Sequence, residues 1–226
     1  MADNAANEII AILGGTGKEG KGLAYQWAKK GHHVIIGSRA LEKAQAAARE
    51  INQKLEALTS TRVEGMENGE AADRCNLAVL TVPFSAHTAM LESLKGKLDG
   101  KILIDVTVPL VPPKVTKVQL PAAGSAALEA KQILGENLQI ASAFQNISYE
   151  NLWNDRDTDC EVLVTGTSKE TRAAVIRLVE DAGLVGWDAG PLENSVVSEG
   201  LTSILIGINK QYGTDGAGIR ITGVRR

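Results

Sequence analysis

The sequence predicts an α/β protein built on a doubly wound parallel sheet, and three observations predict it. Short apolar runs alternate with longer segments of helical periodicity along most of the 226 residues. The first apolar run, near the N-terminus, ends in a cluster of glycines. Strands separated by helices of this length require right-handed crossovers, which cover both faces of a parallel sheet.

Taken in order, Glu8–Leu13 reads as the first buried strand. Lys21–Lys30 reads as a helix with Leu23, Ala24, Trp27 and Ala28 on one face, stopped by Gly31. His33–Ile36 is a second strand, Leu41–Leu58 an Ala-rich helix and Arg62–Met66 a third strand, with Asn68 as N-cap of a helix over Gly69–Arg74. Asn76–Val82 is a strand closed by Pro83, Ser85–Leu98 a helix and Lys101–Val108 a strand. Four of the six prolines then fall between Pro109 and Pro121, which predicts an irregular loop facing a ligand. A helix over Ser125–Leu134 and a strand over Leu138–Phe144 resume the alternation, and a polar loop runs from Gln145 to Thr158. Cys160–Gly166 and Val185–Ala189 are strands flanking a helix over Lys169–Ala182. The last helix, Asn194–Tyr212, carries Val197, Leu201, Ile204, Leu205 and Ile208 on one stripe. Gly200 and Gly207 share nearly one face of it, where a second helix or a flat ligand ring could approach closely.

Composition narrows the function. A net charge of −3 with 23% charged residues offers no basic surface for nucleic acid; Arg225-Arg226 reads as a solvated tail. Two cysteines, Cys75 and Cys160, form no disulfide framework and no metal spacing, and read as buried thiols. The acidic start lacks the bases and apolar core of a signal peptide, and no apolar run approaches the roughly 20 residues of a membrane span, so a cytoplasmic protein is expected. Three histidines, His32, His33 and His87, read as core or surface residues. No nucleophile–base constellation can be assembled, so any chemistry is carried by a bound cofactor.

The stretch from Ile9 to Gly22, IIAILGGTGKEGKG, fits two nucleotide patterns. Gly15, Gly20 and Lys21 match most of a P-loop, but Gly22 stands where that loop needs a hydroxyl for magnesium. Gly15, Gly17 and Gly20 match G-x-G-x-x-G: Gly15 for the tight turn, Gly17 for approach of the pyrophosphate, Gly20 for packing of helix on strand. A turn that binds nothing is the structural alternative. NAD-binding chains place an acid at the end of the second strand for the ribose hydroxyl. This chain has Gly37-Ser38-Arg39 there, with Lys43 one turn on, a set that cradles a 2'-phosphate. NADP is therefore expected over NAD.

At this point the motifs AILGGTGKEGKGLA, VIIGSR, LAVLTVPF, VPLVP, AGSAALEA and DAGPLENSVVSEGLTSILIGIN resemble, in order and over almost the whole chain, the NADPH-dependent coenzyme F-420 reductases, or F-420:NADP oxidoreductases. The resemblance implies a Rossmann-type NADP domain (1–144) and a small C-terminal substrate and dimerisation domain (145–226), with hydride passing between nicotinamide and deazaflavin in the cleft. It implies that Thr16 meets the pyrophosphate or ribose, that Ser38, Arg39 and Lys43 hold the 2'-phosphate, and that Thr81, Val82 and Pro83 line the nicotinamide side. Lys18, Glu19 and Ala143 complete the NADP(H) set with Gly15, Gly17 and Gly20. Gln145, Asn146, Ser195, Gly200 and Gly207 form the second-substrate set. No catalytic side chain and no metal is required, since transfer between stacked rings rests on proximity and orientation. Homodimers using the C-terminal helices are implied as well. Members read Ser-Ala-Leu-His-Thr-Ile-Pro where this chain reads Ser142-Ala143-Phe144-Gln145-Asn146-Ile147-Ser148, so a histidine has become Gln145 and a proline Ser148. Two other readings stay open. The same scaffold could reduce a flavin, an imine or carbonyl compound, or ferric iron, with Tyr149, His87 or Glu199 as proton donor where one is needed. Alternatively, it could sense NADPH without turnover.

Overall fold

The computed structural model describes residues 8–224; the acidic residues 1–7 and the Arg225-Arg226 tail lie outside the described residues. Eight strands form one sheet in the order β3-β2-β1-β4-β5-β6-β7-β8. The first half follows the sequence reading closely: β1 (Ile9–Leu13), α1 (Lys18–Lys30), β2 (His33–Ser38), α2 (Leu41–Leu55), β3 (Glu64–Glu67), α3 (Asn68–Arg74) and β4 (Leu77–Leu80). After a 3-10 turn at Phe84–Ala86 come α4 (His87–Ser93), β5 (Ile102–Asp105), α5 (Ala126–Leu134) and β6 (Gln139–Ser142). Every neighbouring pair from β3 to β6 is parallel. Buried parallel strands are apolar throughout, as β1 and β4 are, because helices cover both faces. Ile10, Ile12, Leu23, Trp27 and Ile36 pack on one side of the sheet, and Leu13, Ile35, Leu80, Leu91 and Leu103 on the other.

Three expectations are corrected. Asn68 is not an N-cap: α3 begins with it, and its Oδ1 accepts a hydrogen bond from the Gly14 N–H at 3.0 Å. The polar loop after Gln145 contains a helix, α6 (Tyr149–Trp153), which packs on α1 through Leu152 and Gly22. Five residues are too few to show a period, and only the packing holds them helical. The wholly parallel sheet fails at β7 (Glu161–Gly166), which pairs antiparallel with β6. An antiparallel neighbour can be reached without crossing the sheet, so residues 143–160 stay at the carboxyl edge where β6 ends.

α7 (Lys169–Asp181) then leads to β8 (Val185–Pro191), parallel to β7, so the sheet runs on past residue 144 without interruption. α8 (Ser195–Tyr212) is amphipathic the unexpected way round. Its buried residues are chiefly polar (Ser195, Ser198, Glu199 and Ser203, with Leu205), while Val197 is 62% and Ile204 51% exposed. Among the described residues no helix is long and apolar enough to cross a membrane.

Candidate nucleotide site and second-substrate edge

β1 and α1 meet in a turn of glycines. Gly14 has φ +71°, in the left-handed region, and a Cβ there would stand 2.4 Å from Val82 Cγ1. Gly14 supplies the left-handed residue of the turn and Gly15 closes it, its N–H donating to Ile12 O at 3.2 Å, where a Cβ would stand 2.6 Å from that oxygen. Gly15 serves packing as well: its N–H also donates to Gly37 O at 3.0 Å, and a Cβ on Gly20 would lie 2.7 Å from Gly15 Cα. A Cβ on Gly17 would meet nothing within 4 Å. That open space adjoins the start of α1, where no side chain caps the first-turn N–H groups. Such groups attract phosphate.

A cavity of about 890 Å³ opens from this turn along the carboxyl edge of β2, β1 and β4. It brings together Thr16, Gly17, Ser38, Arg39, Lys43, Thr81, Val82 and Pro83. The sequence reading did not include Glu67, Asn68 and Gly69 from the β3–α3 junction, or Ala86, Ala89, Met90 and Ser93 from the segment after Pro83, which complete its wall. Glu67 stands opposite Ser38 in the strand register. Arg39 and Lys43 are exposed, and neither makes a side-chain hydrogen bond or ion pair among the described residues.

Other expected residues lie off this cavity. Lys18 points to α6 and donates to the Tyr149 hydroxyl at 2.6 Å, which raises the lysine's affinity for its proton. Glu19 is half-buried, and its Oε1 is enclosed without a partner; burial pushes its carboxyl up to about 8. A neutral acid there would spare a phosphate at the start of α1 the repulsion that an ionised one would bring. Ala143 is fully buried beneath the edge. Asn146 turns away from the edge, its amide donating to Glu161 O at 2.7 Å and to Cys160 Sγ. Ser195 is buried against Ser125, hydroxyl to hydroxyl at 2.6 Å. Within this chain Val118 and Thr116 of the proline-rich loop lie over Gly200 and Gly207, 3.5 and 3.8 Å from where a Cβ would be.

Residues 9–109 match the model of the family described as NADP oxidoreductase coenzyme F420-dependent. The chain is also 38% identical over 219 residues to a protein of Methanocaldococcus jannaschii named F420-dependent NADP reductase, covering 94% of this chain and 97% of that one. The chain belongs to the F420-dependent NADP reductase family. The reductase of Methanothermobacter marburgensis carrying the same name is likewise 38% identical, with 94% and 97% covered. A crystal structure from Arthrobacter sp. FB24, 24% identical, has the same fold with a TM-score of 0.79, covering 95% of this chain and 99% of that one.

Behind the cavity wall this reductase buries a charged network that its histidine count did not reveal. His87 is fully buried; Nε2 lies 2.7 Å from Asp105 Oδ2 and Nδ1 2.9 Å from Glu129 Oε1. Burial alone would lower its pKa, but the bonds to Asp105 and then Glu129 outweigh that and hold it at about 9. Glu199, from α8, accepts from the Ala126 and Ala127 N–H groups at the start of α5, at 2.7 and 3.1 Å. Burial pushes its carboxyl up to about 8. The sequence held one signal of this network, an aspartate inside the apolar strand KILIDVTV, where a lone charge demands a partner. Of the three proton-donor candidates, His87 and Glu199 are sealed in, and only the Tyr149 residue is partly exposed.

Proposed function

We propose that the protein is a cytoplasmic oxidoreductase that moves a hydride between NADP(H) and coenzyme F-420. The observation that carries the cofactor half is the pair of unpartnered cations, Arg39 and Lys43, beside Ser38 in the same cavity as the open face of Gly17. That set suits a dinucleotide bearing a 2'-phosphate. Membership of the family, whose relatives are named for coenzyme F-420, supports the second half. Thr81, Val82 and Pro83 would seat the nicotinamide, and residues 145–226 would supply the second-substrate side and the dimer contact. The chain's task in such a transfer is to hold two ring carbons at roughly 3–3.5 Å and to exclude water.

NADPH oxidation by the purified protein with coenzyme F-420 as acceptor, followed at the deazaflavin absorbance band, tests this directly. Rapid turnover that prefers NADPH to NADH is expected. Tight NADPH binding without turnover would move the assignment to another acceptor. One observation favours an imine or carbonyl compound as that acceptor: the Tyr149 hydroxyl, poised on the Lys18 ammonium beside the glycine loop.

The exposed stripe of α8 supports a homodimer. Val197, Ile204 and Ile208 leave a helix face uncovered, and Val118 and Leu120 of the adjoining loop extend it. Ile204→Asp is expected to yield a monomer in analytical ultracentrifugation at micromolar concentration, with the wild type sedimenting as a dimer. Equal sedimentation of the two would remove α8 from the interface.

A further inference from the structure

The cations at the end of β2 share their cavity wall with an acid. Glu67, the last residue of β3, lines the same cavity as Ser38, Arg39 and Lys43, and among the described residues lining it Glu67 is the one carboxylate. It stands opposite Ser38 in the strand register, one strand spacing of about 4.8 Å away. Successive side chains of a strand point to opposite faces. Met66 is buried with Leu13 and Ile35 on one face of the sheet, so Glu67 falls on the other, the face of Ile36 and Ala44. There α2 lies close: a Cβ on Gly65 would stand 2.5 Å from the backbone of Ala44 and of Gln45. Lys43 immediately precedes Ala44. Glu67 and the cations at the start of α2 therefore converge on one end of one sheet face. The ordinary uses of such an acid are absent. Glu67 is exposed and makes no side-chain hydrogen bond or ion pair among the described residues, with Arg39 and Lys43 or with any other group. It occupies the position from which a side chain can cap α3, yet it accepts no bond from that helix.

We propose that Glu67 is a specificity-determining residue whose charge opposes the 2'-phosphate, limiting both the hold on NADP(H) and the preference for it over NAD(H). Two cations attract the phosphate while a carboxylate one strand away repels it. NAD(H) lacks that phosphate and is spared the repulsion, so the acid narrows the gap between the two cofactors. A site without the acid would bind NADP(H) more tightly and discriminate more sharply. Restrained affinity suits a cofactor that must leave after each hydride transfer. The inference rests on the reading of Arg39 and Lys43 as the cradle of the 2'-phosphate.

Calorimetric titration of the wild type and Glu67→Gln with NADP+ and with NAD+ tests this by binding alone. Glutamine keeps the shape of the side chain and removes its charge. The variant is expected to bind NADP+ about fivefold more tightly at low salt, with its affinity for NAD+ held within about twofold. In about 1 M salt the screening length falls to about 3 Å, and the gain for NADP+ should vanish. Because Glu67 is exposed and without a partner among the described residues, the free variant should melt together with the wild type. Unchanged or weaker NADP+ binding by Glu67→Gln, in a protein whose wild type still prefers NADP+, would overturn the inference and leave the cradle standing. A gain of equal size for both dinucleotides, or one that survives high salt, would overturn it too. A wild type that binds the two dinucleotides alike would remove the cradle reading and this inference with it.

Discussion

Arg39→Glu is expected to weaken NADPH binding by about 100-fold or more while changing NADH binding only a few-fold. Arg39 and Lys43 flank Ser38 at the end of β2, on the wall of the cavity, and neither cation is engaged by another side chain among the described residues. Their charge is thus available to a 2'-phosphate. A charged hydrogen bond contributes about 1.5–3 kcal/mol, and reversing the charge adds repulsion to its loss. Together these reach about 3 kcal/mol, or two orders of magnitude in affinity. Titration calorimetry with both dinucleotides reads the difference. Arg39 is exposed and makes no side-chain hydrogen bond or ion pair among the described residues, so thermal unfolding of the free protein should not move. Equal losses for both cofactors would show that the 2'-phosphate is read elsewhere.

His87→Leu is expected to cost about 3–5 kcal/mol of stability, because it strands the Asp105 carboxylate, itself fully buried, without its partner. For a chain of this size that is about 10 °C in melting temperature. The effect should depend on pH with a definite sign. Folding raises the His87 pKa from 6.5 to about 9, so the folded state holds the proton more tightly. The resulting stabilisation is fully present below pH about 6.5, declines above it, and is lost as pH passes 9. Denaturant unfolding at pH 6 and pH 9.5 should therefore show a large gap between wild type and variant at the lower pH and a smaller one at the higher. A gap independent of pH would mean that His87 is neutral in the fold. Because α4 also carries Ala89, Met90 and Ser93 of the cavity wall, the variant should bind NADPH less tightly as well.

Most of the cofactor side was legible in the sequence because its signals are local. Apolar runs of four to six residues, helices that announce themselves by a period, glycines at fixed spacing and a missing acid after β2 each depend on neighbours in the chain. These determined the alternating architecture and singled out Thr16, Gly17, Ser38, Arg39 and Lys43, which line one cavity. The demand on Gly14 was not legible, because it hangs on a distant side chain: Val82 lies where a Cβ on Gly14 would stand.

The residues expected on the second-substrate side were placed by tertiary structure. Gln145 and Asn146 are adjacent in sequence, yet the amide of one turns back to Asp105 and Ser142 at the ends of β5 and β6 and that of the other to Glu161 in β7. The apolar stripe of α8 could be read from its period, but which face it turns inward could not. Ser125 and the N–H groups at the start of α5 bind Ser195 and Glu199, so the polar face is buried and the apolar one left outside. Periodicity reports how residues are grouped around an element, whereas burial depends on partners supplied from far along the chain. The sequence by itself determined the fold class and the residues gathered around the glycine turn; only the assembled structure decided which side chains the opposite edge buries.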